Sequence, residues 1–105
     1  MDGRLALTPA AGEIWLADSG DEIRRPVFVM SDSRFHRLAG RAVVAPVVER
    51  LDGELRPWQI EVDDGRIAGV HQMATVRIDW LLERDATLDA AALALARRAA
   101  RFIIG

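Results

Sequence analysis

The 105-residue chain has no cysteine, no lysine, only two histidines and no long apolar run. Without cysteine it can form no disulfide, no thiolate nucleophile and no zinc ribbon. Two histidines are too few for most histidine metal sites. No apolar run reaches the roughly 18 residues of a membrane span, and the first residues do not resemble a signal peptide. We therefore expect a cytoplasmic protein that makes no contact with a membrane.

What is present favours one small folded domain. Half of the residues are hydrophobic and 29% are charged, which is not a disordered composition. A chain of this length buries roughly two-thirds of its unfolded surface, so its core is thin. We predict a single domain over residues 1–105, with residues 1–11 as a loose lead-in.

The charge is unevenly distributed. The net charge is −2, which argues against a general nucleic-acid coat. All 14 cations are arginine, and six of them lie between residues 24 and 50, where only two carboxylates oppose them. Because the arginine fork suits phosphate and carboxylate groups, the sequence predicts a local anion-binding site on a mildly acidic protein.

The periodicity predicts strands followed by one long helix. Short apolar or alternating runs separated by turn signals indicate strands at 13–18, 26–31, 41–48, 58–62 and 67–78. A short helical turn within 31–38 should end at Gly40. From 89 to 103 an alanine-rich stretch with apolar residues three or four apart predicts a helix capped by Asp89. The expected fold is α+β: a small antiparallel β-barrel of about five strands closed by a C-terminal helix.

Arg24, Arg25 and Pro26 form the first candidate site. They end a polar loop just before a buried strand, and proline would fix Arg25 at the strand mouth. A fixed guanidinium there can clamp a phosphate or stabilise a pentavalent transition state. The alternative is a surface arginine paired with Glu22.

His71 is the second candidate. On a straight strand it shares a face with Met73, Thr75 and Arg77, a possible anion or acid–base site. The alternative is the half-solvated face of a sheet. We expect His36, beside two arginines in a loop, to be a surface residue, and the three tryptophans to pack in the core.

The order of the segments resembles that of the MazF/PemK toxins of bacterial toxin–antitoxin pairs. The likeness covers residues 12–105 and is strongest over GEIWLAD, RRPVFVMSD and AVVAPV. Residues 40–46 and 72–76 are also similar to stretches of the sister family CcdB. The resemblance implies a small SH3-like barrel with a terminal helix, and a homodimer.

It also implies a reaction and its residues. Many MazF toxins cut single-stranded RNA without a metal or cofactor, and the 2′-hydroxyl attacks the adjacent phosphate to leave a 2′,3′-cyclic phosphate. The family's arginine before proline is Arg25 here, and its threonine or serine position is Val48. Glu22, a rough match to an acidic loop position, and His71 are then the candidates for moving protons. We predict RNA contacts from the following residues: Arg24, Gln72, Thr75 and Arg77.

Three functions remain open on the sequence. The first is an endoribonuclease toxin inhibited by the acidic, flexible tail of a cognate antitoxin, which would lie over Arg24 and Arg25. The second is a CcdB-like inhibitor of DNA gyrase without chemistry of its own. The third is a module that only binds an antitoxin.

Overall fold

A computed structural model of the protein describes residues 8–51 and 53–105. The strands are β1 (Glu13–Ala17), β2 (Arg25–Val29), β3 (Arg41–Glu49), β4 (Gln59–Asp63), β5 (Arg66–Gly69), β6 (Ala74–Arg77) and β7 (Leu81–Thr87). The helices are α1 (Ser33–Ala39) and α2 (Ala90–Ile104), with 3₁₀ turns at Val70–Gln72 and Ile78–Trp80. Most of the predicted lead-in, 1–7, lies outside the described residues, as does Asp52.

The strands form one antiparallel sheet in the order β4-β5-β3-β2-β1-β7, with β6 paired to β3. β3 is the hub: it pairs with β2 on one edge and with both β5 and β6 on the other. The 3₁₀ turn Ile78–Trp80 carries the chain from β6 at β3 to β7 at β1. The result is barrel-like but not closed, since β4 and β7 stand at the ends of the sheet.

This architecture confirms the predicted fold class, with more strands than expected. The run 67–78 is not continuous but divides into β5, a 3₁₀ turn and β6. β7 was missed because it is an edge strand whose residues are nearly all exposed, so no apolar alternation marks it.

Two apolar clusters lie on opposite faces of the sheet. Adjacent residues of β1, Ile14 and Trp15, belong to different clusters, as do Phe28 and Val29 of β2, because side chains alternate along a strand. The first cluster is covered by α2 through Ala96 and neighbouring alanines. The second is enclosed by β1, β2, β3, β6 and β7. Of the three tryptophans predicted in the core, only Trp15 is buried; the other two are half-buried.

Helix α2 begins where predicted. The Asp89 carboxylate accepts a hydrogen bond from the Ala92 N–H at 3.0 Å, which caps the helix. The helix buries its small residues and leaves larger ones outside: Leu95 is 48% exposed and Phe102 is 63% exposed. No helix in residues 8–51 and 53–105 is long and apolar enough to cross a membrane.

The expectation of a surface His36 is wrong. Its side chain lies on the inner side of α1 and is only 6% exposed. Nδ1 lies 2.9 Å from the Pro9 carbonyl oxygen and Nε2 lies 2.6 Å from Ser31 Oγ. Because a carbonyl can only accept, Nδ1 carries the proton and Nε2 accepts from the Ser31 hydroxyl. Ser31 Oγ in turn accepts from the Val43 N–H at 2.8 Å, so this chain of bonds joins the N-terminal segment, α1 and β3.

We expect His36→Ala to lower the free energy of unfolding by about 1–3 kcal/mol, because it leaves buried hydrogen-bonding groups without partners. Thermal denaturation should show a fall in Tm of roughly 5–15 °C. The exposed neighbour Arg37 provides the control, and Arg37→Ala should change the stability by less than about 0.5 kcal/mol. Equal melting of the two variants would refute this role for His36.

Candidate nucleic-acid site at the start of strand β2

The loop between β1 and β2 is shaped by its own carboxylates. Asp18 Oδ1 accepts from the N–H groups of Gly20 at 2.8 Å and Glu22 at 3.1 Å. Asp21 Oδ1 accepts from the Ile23 N–H at 3.1 Å. Glu22 has a φ of +64°, a left-handed conformation that a non-glycine residue adopts at a cost of about 1 kcal/mol or more. These turns fix where the chain enters β2.

Arg25 is the first residue of β2 and its guanidinium is held by the loop. Arg25 Nη1 donates to Asp21 Oδ2 at 2.9 Å, so its partner is Asp21 and not Glu22. The side chain remains 55% exposed and can therefore reach a ligand. Arg24 turns instead to β7, where Nη1 lies 3.3 Å from Glu83 Oε1.

Hydrogen bonds hold the pKa of Asp21 below its ordinary value. The largest cause is the Ile23 N–H, and the hydrogen bond from Arg25 is the second. The carboxylate thus stays ionised and keeps Arg25 in place at neutral pH. Exposed ion pairs of this kind are weak, so an incoming phosphate can compete for the guanidinium.

Val48 lies on β3, the strand next to the one that begins with Arg25. The β2–β3 register pairs Val27 with Pro46, and continuing it by two residues places Arg25 opposite Val48. The Val48 side chain is 54% exposed and lines a groove of about 380 Å³ between β3, β5 and the chain from 49 to 59. A valine there offers shape and apolar surface to a ligand but neither a proton nor a hydrogen bond.

His71 does not share a strand face with Thr75 and Arg77, contrary to the sequence prediction. It lies in the 3₁₀ turn Val70–Gln72, exposed, with its ring centroid 5.9 Å from that of Trp58. Gln72 is exposed in the same turn. β3 pairs with β5 up to Val47 and with β6 from Val44, which leaves two residues of β3, 45–46, between the two ladders. The opposing chain has five residues there, 69–73, and the extra length forms the turn.

Pro46 explains this insertion. The N–H of Val43 points towards β2, where it donates to Ser31 Oγ. Because backbone groups alternate along a strand, the N–H groups of the even-numbered residues of β3 point to the opposite edge. Pro46 falls on that other edge, where it has no N–H to donate. The ladder is interrupted there, and the partner strand bulges away.

Thr75 and Arg77 lie on the sheet face opposite to that of Arg25 and Val48. Thr75 pairs with Val43 and Arg77 pairs with Arg41, so their side chains lie on the face of these β3 residues. The side chain of Arg25 lies on the other face of the sheet, which includes Val44. Arg77 forms a bidentate ion pair with Asp79 and lines a cavity of about 330 Å³ with the loop residues 18–20. The structure thus gathers Arg24, Arg25 and Glu22 at one end of the sheet. Arg77 lies beside residues 18–20 of the same loop, whereas His71, Gln72 and Thr75 lie apart.

The electrostatics of this end are nearly balanced rather than basic. Arg24 and Arg25 are each paired, and the surrounding carboxylates outnumber them: Asp18, Asp21, Glu22 and Glu83. Within the described part of the chain, no group of three or more carboxylates or histidines is arranged to hold a metal ion.

Several solved structures are similar to this chain over most of its length. MazE–MazF from Deinococcus radiodurans (Form III) is similar with a TM-score of 0.79 and 21% identity, over 94% of this chain and 98% of that one. A mycobacterial endoribonuclease in complex with its cognate antitoxin gives 0.78 and 15% identity, over 92% and 95%. The Mycobacterium tuberculosis toxin MazF-mt6 gives 0.69 and 14% identity, over 88% and 95%. At these identities the likeness establishes the fold.

Sequence comparison then identifies the family. The family of PemK-like, MazF-like toxins of type II toxin–antitoxin systems matches residues 10–104, and the chain belongs to it. A comparison with curated protein sequences gave no significant match. The resemblance drawn from the GEIWLAD, RRPVFVMSD and AVVAPV segments is confirmed. The gyrase alternative has no support in these comparisons.

The titration of Asp21 tests the geometry of this site. Its folded pKa lies below the ordinary 3.8, so its stabilisation of the loop is complete above 3.8 and is lost as the pH falls through the lowered value. In a carboxyl NMR titration, Arg25→Gln should raise this pKa only part of the way, since the Ile23 N–H remains. Arg24→Gln should leave it unchanged, because Arg24 pairs with Glu83. A full return to 3.8 in Arg25→Gln would contradict the assigned order of causes.

Proposed function

We propose that this protein is the toxin of a toxin–antitoxin pair and that it cleaves single-stranded RNA as a metal-independent endoribonuclease. The position of Arg25, held at the start of β2 by Asp21, is the observation that carries the proposal. Family membership supports it. We further propose that residues 1–105 act as one toxin domain, in the cytoplasm, where its RNA substrate is.

The reaction needs a base for the 2′-hydroxyl, an acid for the leaving 5′-oxygen and a cation for the phosphorane. The 2′-oxygen loses its proton and bonds to the adjacent phosphorus, the P–O5′ bond breaks, and the 5′-oxygen takes up a proton. The products are a 2′,3′-cyclic phosphate and a 5′-hydroxyl end. Arg25 would stabilise the additional negative charge of the phosphorane, because a guanidinium fork matches two phosphate oxygens.

The proton carriers are the open part of this mechanism. Val48 cannot move a proton, so another residue must do so. Glu22, three residues before Arg25 in the loop, is the first candidate, and His71, exposed beside Trp58, is the second. Arg24 and Gln72 are the proposed RNA contacts near these residues, whereas Thr75 and Arg77 would contact RNA on the other face.

A cognate antitoxin is the proposed inhibitor. The solved structures of MazE–MazF and of the mycobacterial endoribonuclease contain antitoxin chains. An acidic, flexible tail that crossed the start of β2 would compete with Asp21 and Glu83 for the two arginines. Such a tail would inhibit by occupying the place of the RNA phosphate.

Cleavage assays on the purified protein in EDTA test the nuclease. We expect Arg25→Ala to lower the rate roughly 100- to 1,000-fold, since it removes preorganised charge stabilisation. Val48→Thr should raise the rate by restoring a hydroxyl opposite Arg25. Glu22→Gln and His71→Gln, assayed across pH, should show which group moves the proton. Arg101→Ala, at an exposed position of α2, is the control. Full activity of Arg25→Ala would place the chemistry elsewhere.

We also propose a homodimer that covers the exposed end of α2. Leu95 and Phe102 form an apolar surface next to Leu55 and Pro57, around a groove of about 530 Å³. Small single-chain domains rarely expose continuous apolar surface of this kind without a partner. A second copy would bury it and enlarge a thin core.

Sedimentation should therefore find a dimer at micromolar concentration. Phe102→Ser should weaken the dimer at least about tenfold, as expected for a central apolar contact. Leu82→Ser is the matched control, since Leu82 is 47% exposed on β7, away from α2. A stable monomer, or equal weakening by both variants, would rule out this interface.

A further inference from the structure

Helix α1 presents a compact basic surface. His36 faces inward, and the 100° step of an α-helix then turns Arg34, Arg37 and Leu38 to the solvent side. Gly40 ends the helix in the left-handed conformation, and Arg41 follows as the first residue of β3. We call this surface the α1 arginine face, and define it by Arg34, Arg37, Leu38 and Arg41.

Further cations surround this face. Arg41 is the cross-strand partner of Arg77, a juxtaposition of like charges that costs stability. Arg97 of α2 donates to the Met30 carbonyl at 3.3 Å, two residues before the Asp32 cap of α1. This crowding of cations, which costs stability at the Arg41–Arg77 pair, points to an anionic ligand.

Few carboxylates compensate this charge. Asp32 lies 3.6 Å from Arg34, and Asp79 is occupied by Arg77. Among the residues that the structure describes, no carboxylate lies within 4 Å of Arg37 or Arg41. The start of β2 is the opposite case, because there Arg24 and Arg25 each have an acidic partner.

The face also exposes one apolar side chain beside its cations, and an aromatic ring lies at its flank. Leu38 is 89% exposed, and the Phe35 ring at the flank of the helix is 40% exposed. Surfaces that bind single-stranded nucleic acid combine guanidinium groups that follow the phosphates with an aromatic ring on which a base stacks. The pairing of Arg34, Arg37 and Arg41 with Phe35 has this composition.

We propose that the α1 arginine face binds the phosphate backbone of single-stranded RNA outside the cleavage site. The inference rests on the proposed nuclease function. α1 follows the end of β2 that is remote from Arg25, and β2 alone spans about 16 Å. A substrate held at both places must therefore extend several nucleotides beyond the bond that is cut. The face supplies the electrostatic attraction that the acidic loop at Arg25 lacks.

A binding assay with an RNA that cannot be cleaved tests this directly. The probe is a fluorescent 2′-O-methyl oligouridylate of about 20 nucleotides, enough to cover such a surface. Its affinity is measured by anisotropy over a range of salt concentrations, for the wild type, for Arg37→Gln/Arg41→Gln and for Arg84→Gln/Arg101→Gln. The last variant removes the same charge from exposed positions on β7 and α2, outside the α1 arginine face, and serves as the control.

We expect the face variant to bind several-fold more weakly than the wild type at low salt. Its slope of log affinity against log salt should be smaller by about 1.4, the release expected for two phosphate contacts on a single strand. The control should keep the wild-type slope. Equal slopes in all three proteins, equal losses in both variants or no binding by the wild type would each overturn the proposal.

Two further readouts separate the explanations. The first is competition by polyglutamate and by unlabelled RNA of equal charge. If polyglutamate displaces the probe as effectively as the RNA does, the face is a site for acidic protein segments and the proposal is wrong. Cleavage of a short RNA with normal binding by the face variant would refute this inference and leave the nuclease intact. Binding that depends on the face, without cleavage of any RNA, would refute the nuclease and retain the RNA-binding face.

Discussion

One missing backbone N–H shapes much of this fold. β3 pairs on both edges, and Pro46 interrupts its ladder on the side of β5 and β6. The partner chain loops out as the 3₁₀ turn Val70–Gln72, which divides one potential long strand into two. β5 then belongs with β4 under α2, while β6 continues towards β7 and encloses the second apolar cluster. The barrel-like shape follows from this division.

The chain distributes its arginines in two ways. At the start of β2 each arginine has a carboxylate partner, which fixes its position and reduces its net charge. At α1 the arginines are crowded and poorly compensated, which raises the local potential without fixing a single geometry. The paired arginines at the start of β2 suit precise contact with a ligand, because such contact needs a fixed orientation. The crowded arginines at α1 suit long-range attraction, because attraction depends on net charge.

Val48 occupies the position at which the family resemblance leads us to expect threonine or serine. The β2–β3 register, continued two residues beyond its last pair, places Val48 opposite Arg25. The exposed valine lines a groove in which the apolar side chains of Ile67 and Leu55 alternate with charged ones. Under the proposed mechanism, proton transfer would require groups other than this valine.

The sequence by itself determined the local elements and the family. Strong periodicity, the Asp89 cap and the order of the first three strands were sufficient for the C-terminal helix, for β1 to β3 and for the position of Arg25, because these depend on short-range patterns. The edge strand β7 had no such pattern. Only the tertiary structure decided which acid holds Arg25, because Asp21 and Glu22 are equivalent as sequence neighbours and differ only in the direction that the turn gives them. It also decided that His36 is buried and His71 exposed. The hydrogen bond of His36 to Pro9 and the interruption of the ladder at Pro46 arise between segments far apart in the chain.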